Sequence, residues 1–261
     1  MLVDSHCHLD IMDKKFSPEA VAAYVEQAKA NDVAYMQCVS INMQDFPTIL
    51  DIANRFENVF ASVGVHPNDR NEPEVTKEEL VECAADDNVI AIGETGLDYF
   101  RSSGDLEWQR DRFRTHIAAA REAKKPLIIH IRDAYDDAIK IMEEENAAEI
   151  GGVVHCFTGN VEDAKQVIDL NFHIGISGIV TFNSAADIKE VAATIPEHRL
   201  LVETDSPFLA PVPHRGKPNV PAYVRYVAQY IAQLRDEPLE KVAAYTTDNF
   251  FKLFPAKTTC S

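Results

Sequence analysis

The sequence predicts an α/β fold in which eight parallel strands close into a (β/α)₈ barrel. First, the chain has 261 residues, which is a usual length for one barrel domain. Second, short apolar runs alternate with longer segments of helical spacing, and this unit occurs eight times. Third, ionisable residues follow most of the apolar runs, as expected where the carboxyl ends of barrel strands form an active site.

Eight apolar runs are predicted to be the strands. In chain order they are Leu2 to Ser5, Val33 to Val39, Val59 to Val65, Val89 to Gly93, Pro126 to His130, Gly152 to Cys156, Phe172 to Ser177 and Leu200 to Thr204. The amphipathic segments between them, such as SPEAVAAYVEQAKAND, are predicted to be helices that connect parallel strands through right-handed crossovers. An open doubly wound sheet is the alternative, but no G-x-G-x-x-G loop follows the first run.

Nothing in the sequence marks a second domain, so residues 1–261 are interpreted as one domain with a flexible tail from about residue 255. No apolar run reaches the roughly 20 residues that a membrane-spanning helix needs, and no signal peptide is evident. We therefore expect a cytoplasmic protein with neither a membrane nor an obligate protein partner. The five scattered cysteines lack C-x-x-C spacing, which indicates neither a disulfide framework nor a cysteine zinc site.

The formal net charge of −17 argues against an extended nucleic-acid groove, because such grooves bind many phosphates through Lys and Arg. A nucleic-acid substrate would have to be held locally. Two divalent cations would reverse the charge of the site and make the acidic protein compatible with an anionic substrate. Tyr99 and Phe100 are candidates for stacking on a base of a single strand, with core or lid packing as the alternative.

Histidines and carboxylates lie at the carboxyl ends of five of the predicted strands. At the carboxyl ends of these strands lie His6 and His8 of the first, Glu94 of the fourth, His130 of the fifth, His155 of the sixth and Asp205 of the eighth. The strand period of two places both histidines of the first strand on one face. Imidazole and carboxylate without thiolate form the donor set of a hydrolytic metal site. Glu94 has two oxygens with which to bridge two cations about 3.5 to 4 Å apart, and such a pair activates a hydroxide at neutral pH.

We predict Glu94 and Asp205 as the catalytic residues, because Glu94 bridges the cations and Asp205 accepts the proton of the attacking water. Asp205 also precedes Ser-Pro, a context that suits a helix N-cap. Its position directly after an apolar strand favours metal ligation. The identity of the cations is left open among zinc, manganese and magnesium.

Five further residues are predicted to act around the metals. His66 follows the third strand and is predicted to contact substrate, with a structural histidine as the alternative. Arg132 shares the inward parity of His130 and is a candidate phosphate clamp, with solvation on a helix face as the alternative. The loop after the eighth strand carries His214 and Arg215, where barrels often bind phosphate, although an ordinary surface loop is an equally good interpretation. Glu203 faces the same way as Asp205 but one layer deeper, where it could orient a ligand histidine or hold a further cation.

These motifs resemble those of the TatD-family hydrolases. The similar segments are VDSHCHLD, VGVHP, IGETGLD, HIRDA, GVVHCFTG, HIGISGIVTF and LLVETDSPFLAP with HRGKPN, in that order over nearly the whole chain. The similarity is greatest to a subgroup described only as uncharacterised metal-dependent hydrolases. The resemblance implies a TIM barrel of the metallo-dependent hydrolase type, with metal ligands at His6, His8, Glu94, His130, His155 and Asp205.

The resemblance also implies an activity. A metal-dependent phosphodiesterase of the TatD deoxyribonuclease type, acting as a 3′-5′ exonuclease on DNA or RNA strand ends, is the leading hypothesis. A metal-dependent esterase or amidohydrolase, such as a D-aminoacyl-tRNA deacylase, is the alternative, because the same hydroxide can attack a carbonyl. A catalytically silent binding barrel is the third hypothesis, which the complete ligand set disfavours because buried unpaired charges are destabilising.

Overall fold

A computed structural model describes residues 1–13, 16–70 and 73–256 of the protein. The strands are β1 (Leu2–Cys7), β2 (Val33–Cys38), β3 (Val59–Val63), β4 (Val89–Asp98), β5 (Leu127–Arg132), β6 (Gly152–Val154), β7 (Phe172–Ile176) and β8 (Leu200–Val202). The α-helices are α1 (Pro18–Lys29), α2 (Phe46–Arg55), α3 (Lys77–Cys83), α4 (Glu107–Ala123), α5 (Tyr135–Glu144), α6 (Val161–Asp169), α7 (Ala186–Thr194), α8 (Val224–Arg235) and α9 (Leu239–Leu253).

The eight strands are parallel, and their order in the sheet is the order along the chain. The seam between β8 and β1 carries a parallel bridge between Cys7 and Ser206. Beside it, the His8 amide donates to the Ser206 carbonyl at 2.8 Å, and the Asp205 amide donates to the His6 carbonyl at 2.9 Å. The predicted (β/α)₈ barrel is confirmed, and each predicted run overlaps one strand.

Strand β5 illustrates how the barrel separates packing from chemistry. Leu127 and Ile129 point outward into the large core shared with the helices. Ile128 belongs to a second, smaller apolar cluster inside the barrel. Residues two and four places further on, His130 and Arg132, line a cavity at the carboxyl end of the strand. The inward face therefore changes from apolar to polar along a single strand.

The amino end of the barrel is closed by helix α9. Its Phe250 and Phe254 are almost fully buried in the inner cluster, together with inward residues of the strands such as Phe60 and Ile128. The Phe60 and Phe250 ring centroids lie 6.2 Å apart. Burial of an aromatic side chain contributes roughly 1.5 to 3 kcal/mol. The packing at this end of the barrel therefore stabilises the fold.

Strand β4 is longer than predicted, because it continues past Gly93 to Asp98. Its pairing with β5 continues to the end and places Gly96 opposite His130. Gly96 has φ +132°, and a Cβ atom there would lie 2.0 Å from the His130 carbonyl oxygen. A glycine is required for this close approach.

Helix α4 fixes the loop that follows β3. The His116 imidazole accepts a hydrogen bond from the Val65 amide at 3.0 Å and donates to the Arg112 carbonyl at 2.8 Å. Arg112 donates in turn to the carbonyls of His66 and Asp69, at 2.9 and 2.6 Å. Burial lowers the pKa of His116 to about 4, so its imidazole is neutral and can accept this bond.

Within the described residues, no helix is both long and apolar enough to cross a membrane. The described cysteines, Cys7, Cys38, Cys83 and Cys156, are free thiols. Cys260 and most of the predicted flexible tail, residues 257–261, lie outside the described part of the chain.

Candidate metal centre

A cavity of about 660 Å³ opens at the carboxyl end of the barrel. Its lining includes most of the residues predicted to bind metal or substrate, namely His8, His66, Glu94, His130, Arg132, His155 and Asp205. His6 lies beneath this surface and is fully buried. The structure therefore brings all six predicted metal ligands to one place.

One oxygen of Glu94 faces the histidines of β1. Its Oε2 lies 3.3 Å from His6 Nε2 and 4.0 Å from His8 Nε2. Asp205 completes this group, because its Oδ1 lies 3.3 Å from His8 Nε2 and 3.8 Å from His6 Nε2. His6, His8 and Asp205 present ligand atoms within 4.8 Å of one another, as a metal site requires.

The other oxygen of Glu94 faces a second group of histidines. Its Oε1 lies 2.8 Å from His155 Nε2, 3.3 Å from His130 Nδ1 and 3.4 Å from His66 Nε2. The atoms of His66, Glu94 and His130 also lie within 4.8 Å of one another. Glu94 thus stands between two imidazole clusters with one oxygen toward each, and His66 contacts the carboxylate itself.

In two histidines, the ring nitrogen that faces away from the central carboxylates is hydrogen-bonded, and this indicates where the lone pair of the other nitrogen points. His8 Nδ1 donates to the Val39 carbonyl at 3.0 Å, and His130 Nε2 donates to Asp98 at 3.1 Å. In a neutral imidazole the other nitrogen then carries a lone pair, and in both residues that nitrogen faces a carboxylate. A lone pair facing an anion is unfavourable unless a proton or a cation lies between them. The donor set therefore fits a pair of divalent cations.

Glu203 lies fully buried below this centre. One of its oxygens accepts a hydrogen bond from the Cys156 amide and lies 3.5 Å from His155 Nδ1. Within the described residues its Oε2 and the Nδ1 atoms of His6 and His155 have no hydrogen-bond partner. A Cβ atom on Gly175 would lie 2.5 Å from that Oε2, so only glycine leaves room for the carboxylate. Its role in orienting a histidine or holding a further cation remains a prediction.

The carboxylates of the centre are ionised. Burial opposes this, but the charges of His155 and His66 outweigh it and hold the pKa of Glu94 well below its usual range. The pKa of Asp205 is also lowered despite burial, because His8 donates a hydrogen bond to it. For the imidazole of His8 burial acts in the other direction and would lower the pKa, but Asp205 raises it to about 9. Protons on imidazoles therefore compete with cations, and metal affinity should fall with decreasing pH.

Asp205 does not cap a helix. It adopts a left-handed conformation with φ +55°, which Asp and Asn tolerate better than most residues. Its carbonyl accepts from the Phe208 amide at 2.9 Å, which forms a turn, and the next helical segment is the 3₁₀ turn Pro221–Tyr223. The N-cap interpretation is wrong, and the conformation instead directs the Asp205 carboxylate toward His8.

Asp98 is not among the residues predicted from the sequence, although it lies behind the predicted ligand His130. Asp98 accepts hydrogen bonds from His130 Nε2 at 3.1 Å and from the Arg101 amide at 2.8 Å. Burial would raise its pKa, but these bonds lower it, so Asp98 is ionised. The available signal was its spacing, because Asp98 follows Glu94 by four residues and shares its inward face.

The predicted substrate contacts divide into two sets. Arg132 lines the cavity, and its guanidinium lies 4.0 Å from the centroid of the Phe100 ring. His214 is instead stacked on Tyr223 with centroids 3.9 Å apart, and neither it nor Arg215 is among the residues that line the cavity. The roles of all three in substrate binding remain predictions.

A (β/α)₈ barrel whose carboxyl end gathers histidines around a central carboxylate has the architecture of a metal-dependent hydrolase. Comparison with known proteins identifies the particular family. The family described as TatD related DNase matches residues 3–255, and the chain belongs to the TatD family.

Named relatives agree with this assignment. The uncharacterised metal-dependent hydrolase YcfH of Escherichia coli K12 is 46% identical over 253 residues, which cover 97% of this chain and 95% of YcfH. The protein named 3′-5′ ssDNA/RNA exonuclease TatD of Escherichia fergusonii is 33% identical over 236 residues, covering 88% of this chain and 91% of the relative. The crystal structure of YJJV, a TatD homolog from Escherichia coli K12, superimposes with a TM-score of 0.90 at 27% identity and covers 98% of both chains.

Proposed function

We propose that the protein is a metal-dependent phosphodiesterase that removes nucleotides in the 3′-5′ direction from the ends of DNA or RNA single strands. The observation that carries the proposal is the position of Glu94, with one carboxylate oxygen toward each histidine cluster. This arrangement suits two cations held close together, as in nucleases and phosphatases. The name of the Escherichia fergusonii relative supports a nucleic-acid substrate.

Six residues would hold the cations, namely His6, His8, Glu94, His130, His155 and Asp205. Two bound cations would polarise the phosphoryl group and lower the pKa of water enough to supply the nucleophile. Zinc or manganese is the preferred cation in this proposal, and the support is that five imidazoles, including His66, face the central carboxylate. Magnesium prefers oxygen ligands and is the weaker candidate.

The chain itself positions the reacting groups. Asp205 is ionised and lines the cavity, so it can accept the proton of the attacking water. Arg132 lines the same cavity and offers a planar fork of donors to the phosphate oxygens. The bonds from His8 to the Val39 carbonyl and from His130 to Asp98 fix both rings before substrate binds.

Chelation provides the first test. Among the described residues that line the cavity, no Ser-His-Asp arrangement could supply a nucleophile without metal. We therefore expect EDTA to abolish hydrolysis and manganese or zinc to restore it. Labelled single-stranded DNA, RNA and D-aminoacyl-tRNA should be assayed in parallel under each cation. Rapid turnover of the two nucleic-acid strands with intact aminoacyl-tRNA supports the proposal. Turnover of the aminoacyl ester alone would support the deacylase alternative, and full activity in a verified metal-free sample would contradict both.

A further inference from the structure

The arginines of this chain fall into two groups. Eight of the twelve form ion pairs or hydrogen bonds with protein oxygen atoms, namely Arg55, Arg110, Arg112, Arg114, Arg121, Arg199, Arg225 and Arg235. For the other four, Arg70, Arg101, Arg132 and Arg215, the described part of the chain supplies no oxygen acceptor to the guanidinium. On a protein with 42 acidic residues, unpaired arginines are unexpected.

All four unpaired arginines lie on the catalytic face. Arg70 follows β3, Arg101 follows β4, Arg132 ends β5, and Arg215 lies in the loop after β8. Arg101 and Arg132 line the cavity of the metal centre. A random distribution would also place unpaired arginines at the amino end of the barrel or on the outer helices. Their common position indicates a shared anionic ligand at the barrel mouth.

Three of these guanidinium groups lie over an aromatic ring. The pairs are Arg70 over Trp108, Arg132 over Phe100 and Arg215 over Phe182, with 4.0, 4.0 and 4.1 Å from the guanidinium carbon to the ring centroid. Stacking holds the plane of the guanidinium and leaves its N–H edge free. Such an edge suits bidentate contact with a phosphate group.

Two large aromatic side chains are exposed beside these arginines. Phe100 is 62% exposed, and Phe208, which lines the cavity, is 52% exposed. Rings of this kind provide platforms on which unpaired bases stack. Tyr99, the other candidate from the sequence, is held to the protein because its hydroxyl donates to Asp137 at 2.7 Å. Phe208 is not among the residues predicted from the sequence to stack on a base.

One side of the barrel mouth is acidic. A second groove borders the cavity at Thr158 and carries five aspartates, namely Asp133, Asp136, Asp137, Asp163 and Asp187. A polyanion would avoid this groove between the ends of β5 and β7. The favourable path therefore runs from the loops after β3, β4 and β5 across the cavity to the loop after β8.

We propose that Arg70, Arg101, Arg132 and Arg215 form a phosphate track for a single-stranded polynucleotide, with unpaired bases on Phe100 and Phe208. Several nucleotides of the strand lie on this track, so the protein recognises a polymer and not only the reacting phosphodiester. The inference rests on the proposed function, because the track leads to the same metal centre.

The track can be tested by measuring the binding of an oligonucleotide that the protein does not hydrolyse. The probe is a fluorescein-labelled phosphorothioate dodecathymidylate, and the variants are Arg70→Gln and Arg101→Gln in the metal-loaded protein. We expect each to bind about three- to tenfold more weakly and to reduce the slope of log affinity against log salt by about 0.7, the value for one single-strand phosphate contact. Arg55→Gln is the matched control, because it removes the same charge from an exposed pair with Asp51 on α2. Track variants that bind like this control would overturn the proposal.

Two further measurements separate the track from its alternatives. Polyglutamate should compete weakly with the oligonucleotide, and competition equal to that of unlabelled DNA would overturn the assignment to nucleic acid. Hydrolysis of the unmodified dodecamer should fall about fivefold more in the track variants than hydrolysis of bis-p-nitrophenyl phosphate. Equal losses on both substrates would refute the track while leaving the phosphodiesterase intact. A wild-type protein that hydrolyses neither substrate would contradict the proposed function itself.

Discussion

The two ends of the barrel are built by the same strands and have opposite chemistry. On three strands, an apolar residue of the inner cluster is followed two places later by an ionisable residue in or below the candidate metal centre. The pairs are Ile128 and His130, Val153 and His155, and Leu201 and Glu203. The period of two keeps both members on the inward face, so position along the strand decides between packing and chemistry. Stability and activity should therefore respond to different substitutions.

The largest effect on activity without loss of stability is expected from Asp205→Asn at the carboxyl end of the barrel. Asparagine tolerates the left-handed conformation at this position and keeps one oxygen donor, so the variant should fold. It cannot accept a proton, and we expect kcat to fall about 10² to 10⁴-fold with less effect on substrate binding. Steady-state kinetics and metal analysis of the same sample are the measurements. Near wild-type kcat with full metal content would remove Asp205 from the proton transfer.

At the amino end of the barrel, Phe250→Ala should lower stability and leave the activity of the folded enzyme unchanged. Phe250 is fully buried against Phe60, Phe251 and Phe254, and its truncation leaves a cavity. We expect the free energy of unfolding to fall by about 3 to 5 kcal/mol while kcat of the folded enzyme stays unchanged. Urea unfolding and kinetics below the transition measure the two quantities. Phe100→Ala removes an exposed ring and should change stability by only about 0.5 kcal/mol. Equal destabilisation by both would contradict the packing account.

The support of the β3 loop should depend on pH through His116. Its folded-state pKa of about 4 lies below the ordinary value of 6.5, because burial favours the neutral ring. The stability from the neutral ring is complete above pH 6.5 and is lost as the pH falls toward 4. A shift of this size corresponds to at most about 3 kcal/mol. His116→Gln does not titrate, so the stability difference between wild type and variant should decrease between neutral pH and pH 4.

Asp98→Asn should have the smallest effect, because Asp98 contacts His130 from behind the metal centre. The amide still offers one oxygen to the imidazole but carries no charge. We expect affinity for the second cation to fall about 10- to 100-fold, as is usual for carboxylates behind a metal-bound histidine. Metal titration by calorimetry measures this directly. Unchanged affinity would assign Asp98 to the packing of the Arg101 turn alone.

Much of this arrangement could be predicted from the sequence. The strands and the clustering of the predicted metal ligands follow from local patterns, because apolar runs mark strands and the barrel brings their carboxyl ends together. What escaped prediction depends on contacts between distant segments. The bond from the Val65 amide to His116 spans 51 residues, and the stacking of His214 on Tyr223 has no periodic signature. Asp98 escaped because the predicted end of β4 at Gly93 removed it from the strand.

If Glu94 lies between two cations, anomalous diffraction from crystals grown with manganese should reveal both. We predict two anomalous peaks about 3.5 to 4 Å apart, one beside His6 and His8 and the other beside His130 and His155, each within bonding distance of a different Glu94 oxygen. A single peak, or two peaks that do not share Glu94, would show that this carboxylate does not hold a pair of cations.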